Sequence, residues 1–213
     1  MKKWIIFFFF SMTIINAQTK IQVINKGIPG DNTVNLLDRI ESDVMTYEPD
    51  LVIMMVGTND FCNDRKFINA DQYEKNLDLL IDKIINQCDL VLLTILPIEW
   101  DKLFERHNRN LYPADYEYLV EKCNNIIRAR KQERVHILDI YKYFQKIGDD
   151  WLMDGVHQNS HACQVMASVI YQYIQDNFDV DEIKTIVCFG NSITASVLLE
   201  KKYPDYLKIL MNQ

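Results

Sequence analysis

Short apolar segments alternate with longer amphipathic ones along most of the chain. Nearly every position of the short segments is apolar, as expected of strands that are buried on both faces of a parallel sheet. The longer segments repeat apolar residues at helical spacing. The predicted strands are residues 21–25, 51–57, 90–96, 135–140 and 185–190, and the predicted helices are residues 32–47, 73–84, 116–127, 160–177 and 195–210. This alternation predicts a three-layer α/β/α fold with a parallel sheet of about five strands.

The N-terminal segment "MKKWIIFFFFSMTIINAQ" (1–18) has a different pattern. Two lysines precede an apolar run that is too short for a comfortable membrane span, and the small residue Ala17 follows. We therefore predict a signal peptide over residues 1–17, a single domain over residues 18–213, and a secreted or periplasmic location. The alternative is an uncleaved anchor helix.

Charge narrows the choice of partners. The net charge is −7, and it becomes more negative without residues 1–17, which carry two lysines and no acid. An acidic chain without clustered lysine or arginine argues against nucleic acid and anionic membranes as partners. The composition leaves the oligomeric state open.

An odd number of cysteines occurs in a chain that we expect to be exported, so at least one thiol is free or pairs with another chain. The five are Cys62, Cys88, Cys123, Cys163 and Cys188. Cys88 and Cys188 lie beside or within predicted strands and are interpreted as core residues. A bridge between Cys62 and Cys163 stays open. The spacing contains no CxxC motif, so neither a zinc site nor a thioredoxin-type redox site is supported.

The loops after the predicted strands contain the candidate catalytic and binding residues. They are "NKGIPGDNT" (25–33), "GTND" (57–60), "DGVH" (154–157), which follows the fourth strand after a longer excursion, and "GNSIT" (190–194). Parallel strands end at one edge of their sheet, and ligands bind there. We therefore expect the four loops to meet at one edge.

Ser192 is the candidate nucleophile. It lies between a predicted strand and a predicted helix, where backbone N–H groups favour developing negative charge. An isolated serine at such a place is more often a helix cap. Asp154, however, lies three residues before His157, close enough to accept Nδ1–H and leave Nε2 facing a nucleophile. His161 is the competing histidine, and no acid lies three residues before it.

Two further residues carry groups that stabilise an oxyanion. Asn59 has a side-chain NH2 that can donate a hydrogen bond, and Gly30 lets a substrate approach its backbone N–H closely. Both residue types are also ordinary in tight turns.

Together the four loops resemble the sequence blocks of the SGNH, or GDSL, hydrolase family of esterases and lipases. The first block of that family, Gly-Asp-Ser-x-Ser/Thr, is matched by "GNSIT" except that Asn191 replaces the aspartate. Gly30 matches the glycine of the second block, "GTND" matches the third in full, and "DGVH" matches the fifth. The resemblance spans nearly all of residues 18–213 and implies a flavodoxin-like fold. The aspartate is not a triad member in the family, and Asn can still cap the helix, so we expect activity to survive.

The resemblance also implies roles. Ser192 would be the nucleophile, His157 the general base and then acid, and Asp154 the orienting acid. The backbone N–H groups of Ser192 and Gly30, with the side chain of Asn59, would form the oxyanion hole. The implied activity is hydrolysis of short-chain acyl esters, with acetyl esters of carbohydrates preferred, and it needs no metal or organic cofactor.

Several alternatives stay open beside this activity. The same residues suit a lysophospholipase, a thioesterase or an acyltransferase, and a non-catalytic carbohydrate-binding protein would keep the cleft without turnover. Trp100, Phe104 and Tyr112 follow the third strand, and they either border the substrate cleft or pack against the surface.

The blocks occur in an unusual order: second, third, fifth, first. Circular permutation explains this order if the helix after Ser192 ends beside the start of the first strand. Residues 178–184 are long enough to join the preceding helix to the last strand. The alternative is a truncated tandem in which residues 184–213 begin a second copy, and the enzyme then borrows a strand from a neighbour.

Overall fold

The computed structural model describes residues 20–148 and 150–213, so the predicted signal peptide lies outside the described residues. The strands are Gln22–Gly27 (β1), Leu51–Met55 (β2), Asp89–Leu93 (β3), Val135–Leu138 (β4) and Thr185–Gly190 (β5). The α-helices are Thr33–Asp43 (α1), Thr58–Cys62 (α2), Ala70–Ile85 (α3), Trp100–Phe104 (α4), Leu119–Arg128 (α5), Ile140–Phe144 (α6), Ser160–Asn177 (α7), Ser192–Ala195 (α8) and Tyr203–Leu210 (α9). Within the described part of the chain, no helix has both the length and the apolar character needed to cross a membrane.

The strands form one parallel sheet with the order β1-β5-β2-β3-β4. In this sheet β5 lies between β1 and β2, and Gly190 is level with Gly27 on one side and Met55 on the other. The three strands therefore end together. If β5 is counted first, the order becomes 2-1-3-4-5, which is the order of flavodoxin-like sheets. The predicted flavodoxin-like α/β fold is confirmed.

Helices flank this sheet and complete the core. Every residue of β2 is buried, and α1 packs against α3 while α7 packs against α9. The predicted apolar stripe of α3 faces the core, with Tyr73, Leu77, Leu80, Ile81 and Ile84 all buried. Asn69 caps α3 by accepting the Gln72 N–H at 2.8 Å.

The helix predicted over residues 195–210 is wrong in its extent, because the structure has two helices there. α8 begins at Ser192 itself and ends at Ala195, and the next residue, Ser196, adopts a left-handed conformation with φ 41°. Residues 196–202 then form a loop before α9, where Pro204 in the first turn favours a new helix start. The short helices α2, α4 and α6 were not predicted because five residues are too few to show a helical period.

The last and first elements of the described chain lie side by side. The Asn212 side chain accepts the Ile21 N–H at 2.8 Å and donates to the Ile21 carbonyl oxygen at 3.0 Å. The residues after α9 therefore contact the residue before β1.

All five cysteines are buried free thiols. The structure thus contains no bridge between Cys62 and Cys163, and the core interpretation holds for Cys88 and Cys188. Burial raises the pKa of the Cys88 and Cys188 thiols to about 12, so both stay protonated at neutral pH.

Candidate active site

Ser192 lies at the turn between β5 and α8. The side chain of Asn191 caps α8, because its Oδ1 accepts the Ile193 N–H at 3.0 Å. The turn packs closely on β2, since a Cβ at Gly190 would lie 2.6 Å from the Met55 carbonyl oxygen. Glycine before the capping residue therefore allows the turn to present Ser192 at the carboxyl edge of the sheet.

The segment from Asp154 to His157 is a tight turn that orients its own histidine. Asp154 Oδ1 accepts the backbone N–H of Val156 at 3.1 Å and that of His157 at 2.8 Å. Asp154 Oδ2 lies 2.8 Å from His157 Nδ1, and His157 Nε2 lies 2.9 Å from Ser192 Oγ. When Nδ1 carries the proton and donates to the carboxylate, Nε2 is free to accept from the hydroxyl. The three side chains form one continuous hydrogen-bonded row.

Asp154 is in an environment that favours its ionised form. Partial burial raises the pKa of this carboxyl, but the hydrogen bonds and charge of His157 and the Val156 N–H together outweigh that effect. The pKa of Asp154 is therefore below its usual value, and the group is a carboxylate at neutral pH. His161, the competing histidine, is exposed on the first turn of α7.

Gly30 lies in the loop between β1 and α1, and Asn59 lies in the first turn of α2. Asn59 Nδ2 donates to the Asp31 carbonyl oxygen at 2.8 Å, which leaves one N–H of this amide for another acceptor. Gly30 has φ 82° and open space where a Cβ would stand. Pro29, just before Gly30, lines the same cavity as Ser192. The structure thus brings the Gly30 loop close to Ser192, and a hydrogen bond joins Asn59 to that loop.

Asp60 is a buried polar group in the same region. Its Oδ1 accepts the backbone N–H of Thr33 at 2.9 Å and the Thr33 hydroxyl at 2.6 Å. No residue in the described ranges donates to its Oδ2. Burial raises the pKa of Asp60 to about 6, although the Thr33 hydrogen bonds lower it in part. The contact connects the start of α1, and with it the Gly30 loop, to α2.

A cavity of about 180 Å³ lies beside Ser192. It is lined by Pro29, Met153, His157, Gln158, Ser192, Ser196, Val197 and Leu198. Val197 and Leu198 are 64% and 75% exposed, respectively. Val197 and Leu198 thus give the cavity beside Ser192 an exposed apolar wall.

The aromatic residues after β3 pack against one another. Tyr112 is buried, and its hydroxyl donates to the Cys62 carbonyl oxygen at 2.9 Å. Edge-to-face pairs join Trp100 to Tyr116 and Phe104 to Tyr112, each with ring centroids 5.1 Å apart. Of the two interpretations of Trp100, Phe104 and Tyr112, the structure supports packing.

Two charged residues with defined contacts were not among the sequence candidates. One is Asp60, which is completely buried and accepts hydrogen bonds from Thr33 at the start of α1. The other is Arg106, whose guanidinium contacts Asp154 across 48 residues of sequence. Asp60 is the last residue of the "GTND" motif, which could have indicated it, whereas Arg106 has no periodic or motif signal.

Comparison with a family model adds an independent line of evidence. The model described as the GDSL-like Lipase/Acylhydrolase family matches residues 12–165. This range contains the loops 25–33, 57–60 and 154–157, and it ends before Ser192.

Two curated relatives share parts of the sequence. The chain is 37% identical over 68 residues to an acetylxylan esterase from Geobacillus stearothermophilus, covering 29% of this chain and 31% of the relative. It is 26% identical over 165 residues to a heat-inducible transcription repressor HrcA from Mycoplasma capricolum, covering 76% of this chain and 46% of the relative. The alignments thus span less than half of either relative.

Solved structures share the fold. A lipase/acylhydrolase from Enterococcus faecalis superposes with a TM-score of 0.58 at 24% identity, over 72% of this chain and 75% of that one. A GDSL-like lipase from Bacteroides thetaiotaomicron gives 0.58 at 22% identity, over 71% and 74%. An acetylxylan esterase from Geobacillus stearothermophilus gives 0.56 at 20% identity, over 72% and 71%.

Proposed function

The chain belongs to the GDSL-like lipase/acylhydrolase family, and from that membership we propose that it is an exported serine esterase. Its expected substrates are short-chain acyl esters, with acetyl esters of carbohydrates first among them. Export rests on the pattern of residues 1–17. The carbohydrate preference is supported by the similarity to acetylxylan esterases.

The observation that carries this proposal is the hydrogen-bonded row from Asp154 through His157 to Ser192. Distances of 2.8 Å and 2.9 Å place the imidazole between a carboxylate and a hydroxyl, each within hydrogen-bond reach. A helix cap alone would not require a histidine at Ser192 Oγ. The row has the geometry in which a serine is activated by an adjacent base that a third group orients.

In the proposed reaction, Ser192 Oγ attacks the ester carbonyl carbon while its proton passes to His157 Nε2. Asp154 stabilises the imidazolium that forms. His157 then gives the proton to the leaving alkoxide, and an acyl-enzyme remains. Water attacks this ester with His157 again as base, the carboxylic acid departs, and Ser192 regains its proton.

The negative charge on the carbonyl oxygen needs donors in the tetrahedral state. We assign the backbone N–H of Ser192, the backbone N–H of Gly30 and the remaining side-chain N–H of Asn59 to this role. The Ser192 N–H lies at a helix start, and the open space at Gly30 leaves its backbone accessible. Removal of one such donor in a serine hydrolase lowers kcat by about 10²–10³-fold.

The size of the cavity favours a short acyl group. Its volume of about 180 Å³ is below the roughly 300–1,000 Å³ of sites for drug-sized ligands. A second candidate, an esterase or lysophospholipase for longer acyl chains, is favoured by the exposed Val197 and Leu198 at its rim. A series of p-nitrophenyl esters from acetate to decanoate separates the two candidates by the chain length with the highest kcat/KM.

The first test of the proposal uses a fluorophosphonate probe on the purified protein. We expect covalent labelling at Ser192, located by peptide mass mapping, because only an activated serine attacks this phosphorus centre. Ser192→Ala should abolish labelling. Ser196→Ala is the matched control, since Ser196 lines the same cavity without contacting His157, and it should keep the label.

The absence of labelling, in a protein that circular dichroism shows to be folded, would contradict the proposed triad. The non-catalytic carbohydrate-binding protein would then be the better interpretation. An acyltransferase would label, and it would be recognised by diversion of product from acid to ester when an acceptor alcohol is added in excess.

A further inference from the structure

We propose that Arg106 is a positioning residue for the triad: its guanidinium clamps Asp154 and limits how strongly this carboxylate stabilises a proton on His157. The catalytic meaning of this clamp rests on the proposed function. The contacts themselves are a property of the fold.

Both terminal nitrogens of Arg106 reach the same residue. Nη1 lies 2.8 Å from Asp154 Oδ2, and Nη2 donates to the Asp154 carbonyl oxygen at 2.8 Å. Asp154 Oδ2 is also the oxygen that faces His157 Nδ1. A planar fork that holds one side-chain oxygen and one main-chain oxygen restrains the carboxylate and the turn together.

A separate contact docks the segment before Arg106 on the same turn. The Glu99 N–H donates to the Gly155 carbonyl oxygen at 2.9 Å. Gly155 has φ 85°, and a Cβ there would lie 2.7 Å from the Glu99 carbonyl oxygen. Because α4 follows Glu99 directly, the helix is fixed against the turn. The segment that carries Arg106 is therefore held in place beside Asp154.

The clamp has an electrostatic consequence for His157. A carboxylate stabilises the imidazolium form, and a cation on the same carboxylate oxygen offsets part of that stabilisation. Across Gly155, Lys102 and Glu99 pair at 2.6 Å, so their charges largely cancel. From α8 the neutral Ser192 faces the imidazole. Arg106 is thus the cation that directly contacts the carboxylate of this pair.

Three variants separate the charge of Arg106 from its fork. Arg106→Gln removes the charge and keeps hydrogen-bonding groups, whereas Arg106→Lys keeps the charge and loses the fork. Arg109→Gln is the matched control, because Arg109 is an exposed cation of the same segment that stacks on Phe104 and Tyr116. Thermal melting of each variant reports whether the fold is kept.

The experiment combines an NMR titration of the histidine rings with the pH profile of kcat/KM for p-nitrophenyl acetate. The chain has four histidines, and a His157→Gln spectrum assigns the signal. For Arg106→Gln we expect the midpoint of the assigned histidine signal and the acid limb to move to higher pH than in the parent, because the carboxylate then has no competing cation. We expect kcat to fall about fivefold through the looser turn. Arg106→Lys should lower kcat and leave the acid limb in place.

The clamp is overturned if His157 titrates alike in the parent, Arg106→Gln and Arg109→Gln. If Arg106→Gln does not fold, Arg106→Lys provides the test. A kcat and an acid limb equal to those of the parent in Arg106→Lys would contradict the role of the guanidinium fork. The titration needs no turnover, so it separates the two proposals. The titration of Arg106→Gln could differ from that of the parent while the protein is neither labelled by the probe nor able to hydrolyse esters. This result would support the clamp proposal and contradict the proposed esterase function.

Discussion

Asp154 and Asp60 are held in opposite electrostatic states. Asp154 is partly exposed and accepts hydrogen bonds on both carboxylate oxygens, so its pKa is below the usual value. Asp60 is completely buried and has one oxygen without a donor among the described residues, so its pKa is raised to about 6. The number of donors and the access of water decide the difference.

Asp60 should make the stability of the protein fall with rising pH. Its folded-state pKa is above its unfolded value, so its contribution to stability is complete below pH 4 and is lost as the pH rises through about 6. Asp60→Asn removes this ionisation. Relative to the variant, the parent should lose up to about 3 kcal/mol of unfolding free energy between pH 4 and pH 7.

Urea unfolding of both proteins across this pH range measures the difference. Asp38→Asn, which removes an exposed carboxylate from α1, is the control and should leave the pH dependence of the parent unchanged. A constant difference between the parent and Asp60→Asn at all pH values would contradict a buried ionisable Asp60.

At the scale of single residues, sequence reasoning succeeded where chemistry and spacing coincide. Asp154 and His157 stand three residues apart, and the structure places them together with Ser192. Arg106 could not be found in this way, because an exposed arginine in a loop has no pattern that names its partner. Its contact depends on how α4 docks on the turn.

At the scale of elements, the main error of the sequence prediction coincides with the cavity wall. Residues 195–210 show apolar residues at helical spacing, but residues 196–202 form a loop and expose Val197 and Leu198. Periodicity records where apolar residues occur, and it does not distinguish a core from a ligand surface. Local rules commonly fail at functional sites for this reason.

Leu198 should therefore affect substrate choice without affecting stability. Leu198→Ser removes an apolar contact from the cavity rim, and about 0.8 kcal/mol is lost for each methylene that no longer packs. We expect kcat/KM for p-nitrophenyl hexanoate to fall about fivefold, and the value for the acetate to change less than about twofold. The melting temperature should stay unchanged because the side chain is exposed.

Leu79→Ser provides the comparison for this variant. Leu79 is 54% exposed on α3 and does not line the cavity. An equal loss on acetate and hexanoate in Leu198→Ser, or the same pattern in Leu79→Ser, would exclude Leu198 as a contact of the acyl chain.

At the scale of the whole molecule, the strand order supports the proposal of circular permutation. β5 pairs with β1 and β2 in the sheet of its own chain, and counting it first gives the flavodoxin-like order. Sequence periodicity predicted the five strands but not their neighbours, because pairing between distant segments has no local signal. The position of β5 was therefore a question that only the structure could answer.

A rearranged chain tests the permutation directly. Residues 182–213 would be joined by a short glycine-serine linker to residues 20–181, which restores the family order of the blocks. The contact between Asn212 and Ile21 places the new junction, and the exposed residues 181–182 accept the new ends. We expect the rearranged chain to fold as a monomer and to keep fluorophosphonate labelling at the same serine.

The control is a second rearranged chain, which has the same linker but has its new ends between Ala167 and Ser168, inside α7. This chain should not fold. Light scattering on the parent completes the test. A parent that is active only as a strand-exchanged dimer, with an insoluble rearranged chain, would favour the truncated tandem.

The interior position of β5, between β1 and β2, also has a consequence for how the protein acquires activity. The pairing of residues 22–27 with residues 185–190 joins segments that are far apart in the chain, and such contacts form slowly during folding. A ribosome makes β1 to β4 before it makes β5, so the growing chain lacks the strand that separates β1 from β2. Ser192 follows β5 directly. The step that docks β5 between β1 and β2 is therefore also the step that brings Ser192, the proposed nucleophile, to His157. We therefore expect a chain that lacks β5 and Ser192 to show no esterase activity.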